Sequence, residues 1–109
     1  MHGGAVQSIG YALYEELRHD EEGQLLNGSF LTYAIPKIDA VPEIETLIVE
    51  VPAPFGPLGA RGIGESAIVP GCPAIANAIR AATGVRMHEL PMTPARVWRE
   101  LARSADRST

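Results

Sequence analysis

Cys72 is the only cysteine among 109 residues. No disulfide can form within the chain, and no multi-thiolate metal or iron–sulfur site can be built from it. No uninterrupted apolar run approaches the roughly 20 residues of a helical membrane span. Cations are also scarce: nine Lys and Arg stand against thirteen Asp and Glu, for a formal net charge of −4. Phosphate backbones are held by clustered Lys and Arg, so nucleic acid is not an expected partner. The opening residues, Met1, His2, Gly3 and Gly4, lack the basic-then-apolar pattern of a secretory signal, and a cytoplasmic location is expected. His2, His19 and His88 have no metal-ligand spacing and read as surface residues.

What the chain does have is glycine and proline, eleven and nine respectively. They crowd into residues 52–73, PAPFGPLGARGIGESAIVPGCP. Long loops inside small domains usually have a function of their own. The length fits one domain, and the 46% hydrophobic content is ordinary for a globular protein.

Hydrophobic periodicity predicts a first helix over residues 5–18, with Val6, Ile9, Leu13 and Leu17 on one face. Gly10 inside it points to close packing or close approach to a ligand. Residues 19–23 read as a solvated turn, and Asn27-Gly28 as a second turn signal. Residues 30–35 read as extended. Residues 44–51, IETLIVEV, are the clearest strand, β-branched and bounded by Pro42 and Pro52. Leu47, Val49 and Val51 share one face, and Ile44, Thr46 and Ile48 the other, which predicts cover on both sides. A second helix is expected over 73–82, with Pro73 at its first position and Gly84 at its exit. Its inward stripe is Ile75, Ile79 and Ala82. Residues 85–90 suit a short strand. Thr93 caps a third helix anchored by Val97, Trp98 and Leu101, with residues 104–109 as a flexible tail. The expected fold class is α+β, a small two-layer arrangement of about three helices and a few strands.

Two constellations carry chemistry. Glu65 follows Gly59, Gly62 and Gly64 and precedes Ser66. Glycines allow backbone to approach a ligand closely, and an acid at the end of such a loop can act on what the loop holds. Apolar neighbours Ala67, Ile68, Val69 and Ala74 would raise its pKa toward that of a useful base. The competing reading is a helix-mouth acid favoured by the dipole alone, and the spacing leaves both open. The second constellation is Gly3-Gly4 running into a helix that carries Gln7, whose amide both donates and accepts hydrogen bonds. A solvent-facing Gln is the alternative. Arg61 suits either an anionic group or a surface acid. Cys72 reads as a small core residue. The loop lacks the Lys-Ser/Thr ending of a P-loop and a dinucleotide fingerprint.

The order of the pieces adds what no single motif supplies. A Gly-Gly-x-x-Gln helix start is followed by GQLLNGSFLTYAIPK, PAPFGPLGARGIGES, PAIANAIRAATG and LPMTPARVW. This order resembles the C-terminal segment of the molybdopterin-binding large subunit of the xanthine dehydrogenase/aldehyde oxidase family, over residues 2 to about 101. The resemblance implies the fold of that part of the molybdenum-cofactor-binding domain for residues 1–103. It implies oxidation of aldehydes or N-heterocycles with oxygen from water. The cofactor would be molybdenum-molybdopterin, in bacteria often the cytosine dinucleotide form. Glu65 matches the catalytic glutamate that deprotonates the hydroxyl on the metal. Gln7, Gly62, Ile63, Gly64 and Ser66 match cofactor-side positions, and no residue here matches a metal ligand. Electrons would leave through iron–sulfur and flavin subunits or domains.

The chain departs from the family at Ser8, where Gly is usual and crowding on the cofactor side is expected, and at Arg61, where Lys is frequent. It is also several times shorter than the family's subunit. The expectation is therefore a segment that needs the rest of that subunit, binding no cofactor and showing no activity alone. The alternative is a non-catalytic remnant or self-associating module, a homodimer in isolation.

Overall fold

The computed structural model describes residues 1–106. Three helices appear in order: α1 (His2–Leu13), α2 (Gly71–Thr83) and α3 (Pro94–Asp106). Short 3-10 turns at Ile38–Ala40 and Pro57–Gly59 interrupt the long connection between α1 and α2. No strand ladder forms among the described residues, and the one bridge pairs His19 with Leu25. Three helices accord with the sequence, but the strands expected at 44–51 and 85–90 are not formed, and residues 30–33, expected to be extended, turn and bend. Residues 42–53 instead have neither turn nor bend nor pairing.

The core is a small knot. Ala12, Met87 and Met92 are buried, and Leu13, Cys72, Ile75, Ala76, Ile79 and Val97 pack around them. The Met92 amide donates to the Ala12 carbonyl at 2.6 Å, tying the approach to α3 onto α1. Arg96 closes the knot by pairing with Glu16 at 2.5 Å and Glu89 at 3.2 Å and donating to the Pro91 carbonyl at 2.9 Å.

Several helix details differ from the periodicity. α1 ends at Leu13, so Leu17 lies outside it and is exposed. Its buried residues are the small ones, Ser8, Gly10 and Ala12. Gly10 packs against the Glu15 carboxylate and the Pro36 ring, which is the close packing its position suggested. In α2, Ile75 and Ile79 face the core as expected, while Ala82 is exposed. Gly84 leaves α2 in the left-handed conformation, φ 76°, and its amide donates to the Arg80 carbonyl. In α3, Val97 packs inward, but Trp98 is 70% exposed. The helix continues through Asp106, so a tail beginning at Ser104 is not what forms, and residues 107–109 lie outside the described residues. Thr93 serves α3 as anticipated: its hydroxyl accepts from the Arg96 amide at 3.4 Å.

Side chains replace sheet pairing after α1. Asn27, only 4% exposed, accepts from the Arg18 amide at 2.8 Å and donates to the Glu16 carbonyl at 2.6 Å. Asn27-Gly28 is therefore a clasp, and the solvated turn sits at residues 20–23, where Gly23 bonds back to Asp20. Tyr33 donates to Glu15 at 2.8 Å, pinning the next stretch to the end of α1.

The chain is far from a compact sphere. Its radius of gyration is 18.1 Å, against about 13 Å for a compact domain of this length. Its accessible surface is 8638 Å², against roughly 5,800 Å² for a compact monomer of this mass.

Candidate functional site

The site begins with the docking of the turn at residues 64–70 onto α1. The turn is a series of i to i+3 bonds: Ser66 to Ile63, Ile68 to Glu65 and Gly71 to Ile68, at 3.0–3.3 Å. It leads directly into α2. Gly4, Ser8 and Tyr11 are four and three residues apart and so share one stripe of α1. A β-carbon on Gly4 would lie 2.8 Å from the Ala67 β-carbon. Ser8 is buried, donates to the Ala5 carbonyl at 2.7 Å, and occupies the space beside Gly71. The Tyr11 hydroxyl approaches the Ile68 carbonyl at 3.4 Å. Ser8 therefore faces α2, and the crowding expected toward a cofactor falls on the helix contact instead.

This contact joins the two predicted constellations. Gln7 stands on α1 beside the stripe, and Glu65 lies two residues before Ala67. Both side chains are exposed, as is that of Ser66. None of the three makes a side-chain hydrogen bond among the described residues. The apolar enclosure expected around Glu65 is not supplied by this chain: Ala67 and Ile68 are half-buried against α1, whereas Val69 and Ala74 are exposed.

Gly62 and Gly64 face open space and keep ordinary backbone conformations, so nothing in this chain requires glycine at either. Bare backbone that internal packing does not demand leaves room for an outside group. Gly62 and Ile63 line an open groove of about 550 Å³ with residues 48–52 and Met1. Arg61 holds that groove's shape: its guanidinium donates to the carbonyls of Val51 at 2.6 Å and Pro52 at 3.4 Å. It thus meets neither an anion nor a surface acid. A carboxamide, a carboxylate, a hydroxyl and uncovered backbone are donors and acceptors of the kind an oxygen-rich cofactor would need. No group of three or more His, Cys, Asp or Glu side chains among the described residues is arranged to hold a metal ion. Among the described residues no helix is long and apolar enough to cross a membrane.

Hydrophobic periodicity missed Gly4, Ser8, Tyr11 and Gly71 as positioning residues. The available signal was the run of small residues on α1, with glycine at both Gly4 and Gly71.

Comparison with known proteins gives matches of one kind. Residues 1–42 match the molybdopterin cofactor-binding domain family. The chain is 39% identical to the xanthine dehydrogenase molybdenum-binding subunit of Escherichia coli O157:H7 over 101 residues, 92% of this chain and 13% of that protein. It is 40% identical to the 6-hydroxypseudooxynicotine dehydrogenase complex subunit gamma of Paenarthrobacter nicotinovorans over 99 residues, 88% of this chain and 12% of that one. Among solved structures, quinoline 2-oxidoreductase from Pseudomonas putida 86 superposes with a TM-score of 0.84 and 36% identity, over 93% of this chain and 13% of that one. The chain thus spans about an eighth of the length of the relatives it matches.

Proposed function

Since the chain belongs to the xanthine dehydrogenase/aldehyde oxidase family, as a segment of its molybdopterin-binding subunit, we propose that it completes the cofactor site of a molybdenum hydroxylase acting on aldehydes or N-heterocycles. The observation that carries this reading is the docking of the Glu65 turn, through Ala67, on the helix that bears Gln7, with both side chains exposed. When bound, the molybdenum-molybdopterin cofactor, in its cytosine dinucleotide form, supplies the oxidation and makes water-derived oxygen acidic enough for an ordinary carboxylate to serve as base.

Glu65 accepts the proton from the oxygen to be transferred, which requires hydrogen-bond reach. The Gln7 carboxamide donates to and accepts from the cofactor's polar groups. Gly62 and Gly64 let backbone approach, and Ile63 and Ser66 supply an apolar and a hydroxyl contact beside it. Glu65 is exposed in this chain, and in this reading the remainder of the subunit, the principal partner, excludes water from it. Iron–sulfur and flavin subunits or domains take up the electrons, in the cytoplasm. The segment alone holds no cofactor and turns over no substrate.

The test is complementation. A large-subunit body lacking this segment, co-expressed with the chain, should yield protein containing molybdenum and pterin, with turnover. The chain alone should yield neither. Absence of cofactor from the reassembled protein would count against the reading. The excess surface favours a second reading, a self-associating module without catalysis. It predicts a homodimer by sedimentation that persists when the large-subunit body is supplied.

A further inference from the structure

Three contacts seat the turn at residues 64–70 and the start of α2 on α1, and they differ in kind. Gly4 meets Ala67 and Ser8 meets Gly71, both by close approach of small groups. Such contacts fix how near the two elements come. Apolar contact is non-directional and leaves the turn free to rotate about it. The third contact is a hydrogen bond. The Tyr11 hydroxyl donates to the Ile68 carbonyl at 3.4 Å, across 57 residues of sequence. Hydrogen bonds weaken steeply with misalignment, so this one sets orientation. No other side chain hydrogen-bonds to residues 62–70 among the described residues.

Ile68 is where orientation matters. Its amide donates to the Glu65 carbonyl at 3.0 Å, and its carbonyl also accepts from the Gly71 amide at 3.2 Å. A carbonyl has two lone pairs, and both are engaged. Ile68 thus joins the Glu65 peptide to the first residue of α2, and half-buried Tyr11 fastens that junction to α1. The exposed Glu65 carboxylate makes no side-chain hydrogen bond among the described residues, so in this chain its backbone alone places it. At 3.4 Å the Tyr11 bond is long for O–H···O, and its loss removes little stability. Its effect on a reacting group is larger, because misplacement by about 1 Å lowers rates as much as about 100-fold.

We propose that Tyr11 is a positioning residue for Glu65, its hydroxyl fixing the orientation of the 64–70 turn through Ile68. The proposal rests on the reading of Glu65 as the base and adds what holds that base in place.

Tyr11→Phe, Glu65→Gln and the double variant, each in the complete enzyme, test it. Tyr11→Phe keeps the ring and removes the hydroxyl. With rates expressed per molybdenum, it should lower kcat by about 10-fold and leave KM within about twofold, the pattern of an interaction made in the transition state alone. In the Glu65→Gln background the same change should lower the residual kcat by less than about twofold, because residues acting as one unit are non-additive. A loss of about 10-fold in both backgrounds would overturn the proposal, since Tyr11 would then act otherwise than through Glu65. Amide exchange at Ile68 and Gly71 should quicken by at least about threefold in Tyr11→Phe, with α1 unchanged. Unchanged exchange there would overturn the tether. Loss of molybdenum from Tyr11→Phe would also overturn it, making the hydroxyl a part of cofactor assembly. Near-normal turnover in Glu65→Gln removes the base and the proposal with it, whereas an impaired Glu65→Gln beside a fully active Tyr11→Phe removes the positioning role alone.

Discussion

The side chain of Ser8 fills the space that a β-carbon on Gly71 would occupy. This pair sets how closely α1 and α2 approach, and the Glu65 turn enters α2 through Gly71. Gly71→Ala should destabilise the chain by about 1–3 kcal/mol, the usual range for overpacking a tight contact. Ser8→Gly combined with Gly71→Ala should recover most of that loss. Denaturant unfolding of the four members of the cycle measures the coupling. Additive effects would mean that the two residues do not share this space.

Glu65→Gln in the complete enzyme should leave molybdenum and pterin content unchanged and lower kcat by at least about 100-fold, the lower end of what a positioned general base contributes. Metal analysis beside steady-state kinetics decides it. Near-normal turnover would remove Glu65 from the role.

Arg96 is largely buried and joins three parts of the chain, through Glu16, Glu89 and the Pro91 carbonyl. Arg96→Met should lower the unfolding free energy by about 2 kcal/mol, in line with hydrogen bonds to charged groups. Glu89 is 69% exposed, and exposed pairs contribute little, so Glu89→Gln should leave the midpoint nearly unchanged.

Tyr33 donates to the Glu15 carboxylate, and that hydrogen bond, with lesser help from desolvation and the carboxylate's charge, raises its pKa above the usual value near 10. A folded-state pKa above the unfolded one stabilises the fold below the unfolded value. The contribution is lost as pH rises through the folded value. Spectrophotometric titration should show a tyrosine ionising above the usual value, and Glu15→Gln should lower its pKa.

The sequence made the helices legible where their ends carry chemistry, as at Thr93 and Gly84, and where large apolar residues repeat, as at Ile75 and Ile79. It misread α1 because the buried residues there are Ser8, Gly10 and Ala12, small side chains that hydrophobic periodicity does not weigh. The strand pattern at 44–51 was legible, but a strand is a relation between segments, and no segment among the described residues pairs with it. The Asn27 clasp was invisible for a related reason: its partners, Arg18 and Glu16, lie nine and eleven residues away. Glu65 was found by motif order, whereas its open surroundings were not, since burial depends on what the rest of a protein brings.

The knot formed by the three helices also governs the long connection hung from it. Tyr33 on Glu15 fixes one end and Ala67 against Gly4 fixes the other, so the stretch between them is a tethered arch rather than a free tail. Bringing the ends of such a stretch together carries an entropic penalty that grows slowly with length. Here that penalty is met within the chain, by contacts that need no second molecule. What arrives at a receiving surface is thus a shape with both feet planted, and less freedom remains to be lost on contact than for a loose peptide of equal length.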